Sequence, residues 1–281
     1  MKDSENKDAQ VCTSSFAALA PESRCQSCGT YNGLADQIRI TDNPSGGLTM
    51  NEQSLQTMPG FGPAGTLAAD RNRVLRNTYW LLALSMVPTV LGAWVGVSTG
   101  ITAALGNGLS AIVFLVGAFG FMFAIEKTKN SAAGVPVLLA FTFFMGLMLA
   151  RMLAVVLGFK NGTSLVMTAF AGTAVVFIGM ASLATVIKRD LSGMGKFLFV
   201  GALILLAAGI VNIFMQSTAL MMTLSVLAIV VFSGFMLFDI KRVIDGGETN
   251  YISATLAIYL DIYNVFQSLL AILGIAGGER D

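Results

Sequence analysis

The chain has 281 residues, 55% of them hydrophobic and 12% charged, with a net charge of +1 and a mean hydropathy of +0.74. Soluble domains run at about 25% charged residues, so a water-soluble globular fold is excluded for most of the length. The near-neutral balance offers no basic field for nucleic acid, and the absence of histidine excludes His-based metal sites and general bases.

Residues 1–72 read as a tail. Eight of the sixteen acidic residues (Asp3, Glu5, Asp8, Glu22, Asp36, Asp42, Glu52, Asp70) and four of the six prolines fall there. The segment is rich in Ser, Gly, Asn and Thr without a sustained apolar period, which predicts a disordered cytoplasmic segment. It shows no apolar core of a signal peptide. An over-extended start, with Met50 as the initiator, is the alternative for its first part. The three cysteines, Cys12, Cys25 and Cys28, all lie here. Cys25 and Cys28 form a C-x-x-C, but three thiolates without histidine fall short of the four ligands of structural zinc.

Seven apolar runs follow, at about 78–97, 103–125, 133–158, 164–187, 197–215, 218–239 and 251–275, each near the ~20 residues that cross a bilayer. The pattern predicts an all-α, polytopic membrane domain of seven transmembrane helices over 73–281. The third run is long enough to need tilt or a break, and Pro136 near its start could supply a kink. Gly92 and Gly96 form a small-xxx-small pair that allows close helix approach. Ten basic residues flank the spans on one side: Arg71, Arg73, Arg76, Lys127, Lys129, Lys188, Arg189, Lys196, Lys241 and Arg242. Only Lys160 and Arg280 flank the other. The positive-inside rule puts the N-terminus in the cytoplasm and the C-terminus outside.

Three charges remain at membrane depth: Arg151, Asp239 and Asp261. A carboxylate at a helix centre costs roughly 3 kcal/mol on insertion scales, so each is a functional candidate. Asp261 lies roughly 16 Å past Asn250 at 1.5 Å per residue, near the midplane. Asn264 and Ser268 follow it on the same face and make a polar stripe that belongs against protein or a water-filled cavity. The alternative for Asp261 is a protonated, inter-helix hydrogen-bonding role. Asp239 stands at a cytoplasmic helix end beside Lys241 and Arg242, and pairing with those cations is its alternative. If the two carboxyls touch, they hold one proton between them. A rise in pH then splits the pair by repulsion or lets a hard cation such as calcium bridge it. Contact requires that the seventh helix begin beyond the end of the sixth or that their loop dip inward. Arg151 either snorkels to the outer interface or neutralises an aspartate.

The run from Phe238 to Gly274, with Val74–Tyr79 (VLRNTY) and Lys188–Ser192 (KRDLS), resembles the signature of the Bax inhibitor-1/YccA membrane proteins across residues 71–276. Gly246–Ile252 (GGETNYI) is most similar to the bacterial YccA branch. The resemblance implies a seven-helix fold with the last helix central and makes Asp239 and Asp261 the family's paired aspartates. In some members that pair is a proton-sensitive latch on a calcium leak, so the two are also the candidate positions for a transient calcium ion; no cofactor is expected. For the YccA branch it implies association with the membrane protease FtsH in a bacterial inner membrane. Three features depart from the pattern. The tail is longer. Arg151 replaces a residue that tends to be proline. Lys127 or Lys129 stands where some relatives have an arginine that engages the latch, and lysine lacks the bidentate fork. An intramembrane aspartyl protease is disfavoured, because Ile258-Tyr259-Leu260-Asp261 is not the G-x-G-D of such enzymes, so no enzymatic activity is expected.

Overall fold

The computed structural model describes residues 64–101, 106–189 and 191–278. The expectations for residues 1–63, including Met50 and the three cysteines, lie outside the described residues. Seven helices follow in chain order: α1 Ala64–Thr99, α2 Gly106–Thr128, α3 Gly134–Leu157, α4 Gly162–Val186, α5 Ser192–Met215, α6 Thr218–Ile244 and α7 Tyr251–Gly277. Each covers one of the seven apolar runs. Six are long and apolar enough to cross a membrane, and α2, at 23 residues, has a spanning length too. Large apolar side chains such as Trp80, Phe197 and Phe214 point outward, as lipid-facing surface requires.

Two details differ from the sequence reading. The first helix begins at Ala64 rather than near 78, so residues 64–72, read as the end of the tail, are helical. Pro63 precedes this helix, and its first residues (Ala-Gly-Thr-Leu-Ala-Ala) include strong helix formers. The second concerns Pro136. Of the tilt or break expected for this run, no break occurs: α3 is continuous over 24 residues. Pro136 is its third residue, within the first turn, where backbone N–H groups have no intrahelical acceptor to lose. At 1.5 Å per residue α3 is about 36 Å long, and tilt accommodates the excess over a ~30 Å core. Pro88 is the proline set inside a helix, in α1.

The helix ends carry recognisable signals. Gly100, at φ 64°, closes α1 by donating its N–H to Gly96 O at 3.1 Å. Ser217 Oγ caps α6 by accepting from Leu220 N–H at 3.3 Å. Asn250 Oδ1 caps α7, accepting from Ile252 N–H at 2.9 Å and Ser253 N–H at 3.3 Å.

Helix α7 is central, as the family resemblance implies. It packs against α1, α2, α3, α4 and α6 and buries Ile258, Tyr259, Val265 and Leu270. The closest pairing is α1 with α3. A Cβ added at Gly92 would press on the backbone of Phe143 and Leu147, and one at Gly146 on the backbone of Thr89. The Gly92–Gly96 pair therefore marks a true helix contact: dispersion between backbones at this distance replaces the hydrophobic drive that lipid cannot supply. Helix α5 packs on α6 and presents most of its surface outward.

Candidate functional site

One side of α7 is tied to α1 and α3 by hydroxyl groups. Thr255 Oγ1 donates to Thr78 O at 3.3 Å and to Tyr251 O at 2.7 Å. Tyr259 OH bonds Thr89 Oγ1 at 2.9 Å and Thr142 O at 3.5 Å. Tyr263 OH donates to Met145 O at 3.3 Å. These three residues recur every four positions and so share a face. Asp261 lies two residues from Tyr259, about 200° around the helix. With the tyrosine face held against α1 and α3, Asp261 is turned toward α6.

There it meets Asp239. The two carboxyl groups lie close enough to interact directly. Asp261 is buried, at 4% exposure, while Asp239 is half-buried. Asp261 Oδ2 finds no donor among the described residues. Two ionised carboxylates would set acceptor against acceptor, so this contact is a hydrogen bond only when the pair carries a proton.

The loop geometry explains how the two levels match. Asp239 is about 7 Å from the end of α6 at Ile244, and Asp261 is about 15 Å from the start of α7 at Tyr251. Helix α7 therefore begins about 7–8 Å beyond the level where α6 ends. That extension is anchored by Asn250, whose Nδ2 donates to Lys129 O at 3.1 Å and Asn130 Oδ1 at 2.9 Å. One asparagine thus caps α7 and ties it to the α2–α3 loop.

The basic residues beside Asp239 have other partners. Lys241 Nζ pairs with Asp245 Oδ1 at 2.7 Å, and Arg242 Nη2 with Glu248 Oε2 at 3.3 Å. Asp239 is thus not the interfacial partner of Lys241 and Arg242 that its position in sequence allows; Arg242 and Glu248 act on it through their fields. Lys129 Nζ is paired with Glu126, and Lys127 is exposed at the end of α2. Asn264 and Ser268 lie on the Asp261 face, Ser268 buried. The Asn264 amide donates to Leu260 O at 2.7 Å, within its own helix. Arg151 Nη1 donates to Ser110 Oγ of α2 at 2.9 Å, far along the bundle from the pair. Sequence reasoning singled out neither Asn250 nor the Thr255–Tyr259–Tyr263 face. Asparagine just before an apolar run is a capping signal, and hydroxyl residues every fourth position would have marked the second.

Among the described residues no three His, Cys, Asp or Glu side chains gather as a metal site. Two carboxylates fall short of the six to eight oxygens of a resident calcium ion. They suit a proton, or a hydrated cation in passage.

Seven helices with α7 central, and a carboxyl pair shared between α6 and α7, define a polytopic α-helical membrane protein. Residues 71–278 match the family described as inhibitor of apoptosis-promoting Bax1, and the chain belongs to this Bax inhibitor-1 family. An uncharacterised membrane protein of Vibrio cholerae is 39% identical over 207 residues, 73% of this chain and 91% of that protein. A Pseudomonas aeruginosa protein is 39% identical over 206 residues, 73% of this chain and 90% of its own length. The Escherichia coli protein named modulator of FtsH protease YccA is 38% identical over 208 residues, 74% of this chain and 92% of that protein.

Proposed function

We propose that this protein is a non-enzymatic cation leak of a bacterial inner membrane, with calcium as the transported ion and the Asp239–Asp261 pair as its pH-sensitive gate. What supports this reading is the proximity of the two carboxyl groups, one of them buried inside the helix bundle. With one proton shared, the hydrogen bond holds α6 against α7 and the path is shut. Loss of that proton leaves two like charges in contact, which repel or admit a cation between them. Arg242 and Glu248 set the field at the cytoplasmic side of the pair. Asn264 and Ser268 continue the polar face of α7 beyond it, and Lys127 and Lys129 flank the same end without entering it. The tail is cytoplasmic and the C-terminus outside, following the distribution of basic residues.

The test is calcium flux into proteoliposomes between about pH 6 and 8, with wild type beside Asp239→Asn and Asp261→Asn. Flux that rises with pH in wild type and loses that dependence in both variants supports the gate. Variants that match wild type at every pH overturn it.

A second reading is favoured by one relative, the E. coli modulator of FtsH protease. Here the protein associates with a membrane protease of that kind, and the N-terminal segment supplies the handle. The two readings separate cleanly. Leak depends on the aspartates and survives removal of residues 1–63. Protease association, read by co-purification with FtsH, depends on those residues and survives both Asp→Asn changes.

A further inference from the structure

At the end of the bundle opposite the aspartate pair lies a site the leak reading does not use. Arg151 is the only charged residue of α3, and the helix continues six residues past it, about 9 Å. Its guanidinium is held by Ser110. Beside it opens a cavity of about 450 Å3 whose walls include Arg151, Asn212, Gln216, Ser217, Thr218 and Met221.

The α5–α6 turn builds most of these walls. Gln216 adopts a left-handed backbone, φ 49°, which reverses the chain sharply enough to bring both helix ends to the cavity. Ser217 N–H donates to Asn212 Oδ1 at 3.1 Å. With that oxygen engaged, the Asn212 amide offers its nitrogen as a donor, and the Gln216 amide and Thr218 hydroxyl add two more. Among the described lining residues none is acidic. A fixed guanidinium among hydrogen-bond donors selects an anion, and its planar fork matches phosphate oxygens.

The surroundings select the kind of anion. Phe214 is 83% exposed and Met215 65% exposed on α5, and Met221 is exposed on α6. Apolar surface thus borders the polar cavity directly. A small hydrated anion gains nothing from that border, whereas an amphiphile places its charged head in the cavity and its chains along the helices. We propose that this cavity binds the phosphate headgroup of an anionic phospholipid, with the Arg151 guanidinium on the phosphate and acyl chains along α5 and α6. Basic pockets between transmembrane helices recognise such headgroups in the same way.

The experiment titrates the purified full chain in detergent with phosphatidylglycerol, phosphatidylcholine or inorganic phosphate and counts bound ligand by native mass spectrometry. Wild type binds phosphatidylglycerol about tenfold more tightly than phosphatidylcholine, as a charge-assisted contact predicts. Arg151→Met removes that preference, and Arg151→Lys, which keeps the charge without the fork, reduces it. Thr218→Trp, at an exposed position, fills the cavity, leaves the Arg151–Ser110 bond in place and also lowers phosphatidylglycerol binding. Should Arg151→Met not fold, Arg151→Lys and Thr218→Trp decide. The proposal is overturned if the preference persists in the folded variants, or if inorganic phosphate displaces phosphatidylglycerol at equal concentration, which would mark a site for a small anion.

Discussion

Replacing Gly146 with alanine tests the packing that holds the site in place. Its new Cβ would run into the carbonyl oxygen of Thr89 and lie 2.8 Å from Thr89 C and 2.9 Å from Thr89 Cα, all backbone atoms of α1. Carbon pairs sit comfortably at about 3.5–4.0 Å, and the carbonyl oxygen is nearer still, so α1 and α3 must part by at least about 1 Å to admit one methyl group. A gap of that size forfeits roughly a quarter to a half of the dispersion well for each pair it opens. It also strains the Tyr259 hydroxyl, which spans Thr89 on α1 and Thr142 on α3. Overpacking of this kind costs about 1–3 kcal/mol, or roughly 2–12 °C in melting temperature for a domain of this size. Gly179→Ala is the matched control, because nothing lies within 4 Å of its added Cβ. There the gain in helix propensity, up to about 1 kcal/mol, leaves stability unchanged or higher. Both variants are melted in the same detergent and followed by loss of the monodisperse peak on size exclusion. Gly146→Ala melting at or above wild type would refute the backbone contact between α1 and α3, and with it the rigid frame proposed for α7.

Asn250→Ala removes the cap of α7 and its ties to the α2–α3 loop together. A lost cap costs about 0.5–2 kcal/mol, so the expected result is a modest fall in stability with faster hydrogen exchange at Ile252 and Ser253; unchanged exchange would sink the anchoring role. Tyr259→Phe keeps the ring against Phe141, at 6.2 Å between centroids, and removes only the hydroxyl. Thr89 still donates to Ser85 O, so no donor is orphaned and the loss is about 1 kcal/mol. A drop beyond about 3 kcal/mol would show that the hydroxyl does more than bridge two helices.

Much of this architecture was legible because a bilayer imposes its thickness on the chain. Each span had to be a run of about twenty apolar residues, so seven runs became seven helices in the same order. The cost of charge in lipid made Asp239, Asp261 and Arg151 stand out against an apolar background. Helix periodicity alone placed Asn264 and Ser268 on the Asp261 face. The start of α1 was less legible. Residues 64–72 are helical without being apolar, and a hydropathy reading sees only the part that meets lipid. The effect of Pro136 was hard to judge for a related reason: it depends on the distance of a proline from the helix start, which hydropathy places only to within several residues.

The partnership of the candidate residues was a different kind of question. Lys241 and Arg242 lie nearer to Asp239 in sequence than Asp261 does, yet Lys241 pairs with Asp245 and Arg242 with Glu248. Asp261 takes their place because α7 is rotated by its hydroxyl contacts to α1 and α3 and set in height by Asn250. Likewise, Arg151 was evident as a charge within an apolar run, but its bond to Ser110 and its cavity arise from α2, α5 and α6, far away along the chain. The sequence by itself determined the number of apolar runs, their order and which charges interrupt them, because local composition and bilayer thickness suffice for those. Only the tertiary structure decided which charges meet, because rotation and height of a helix are set by contacts with several distant helices at once.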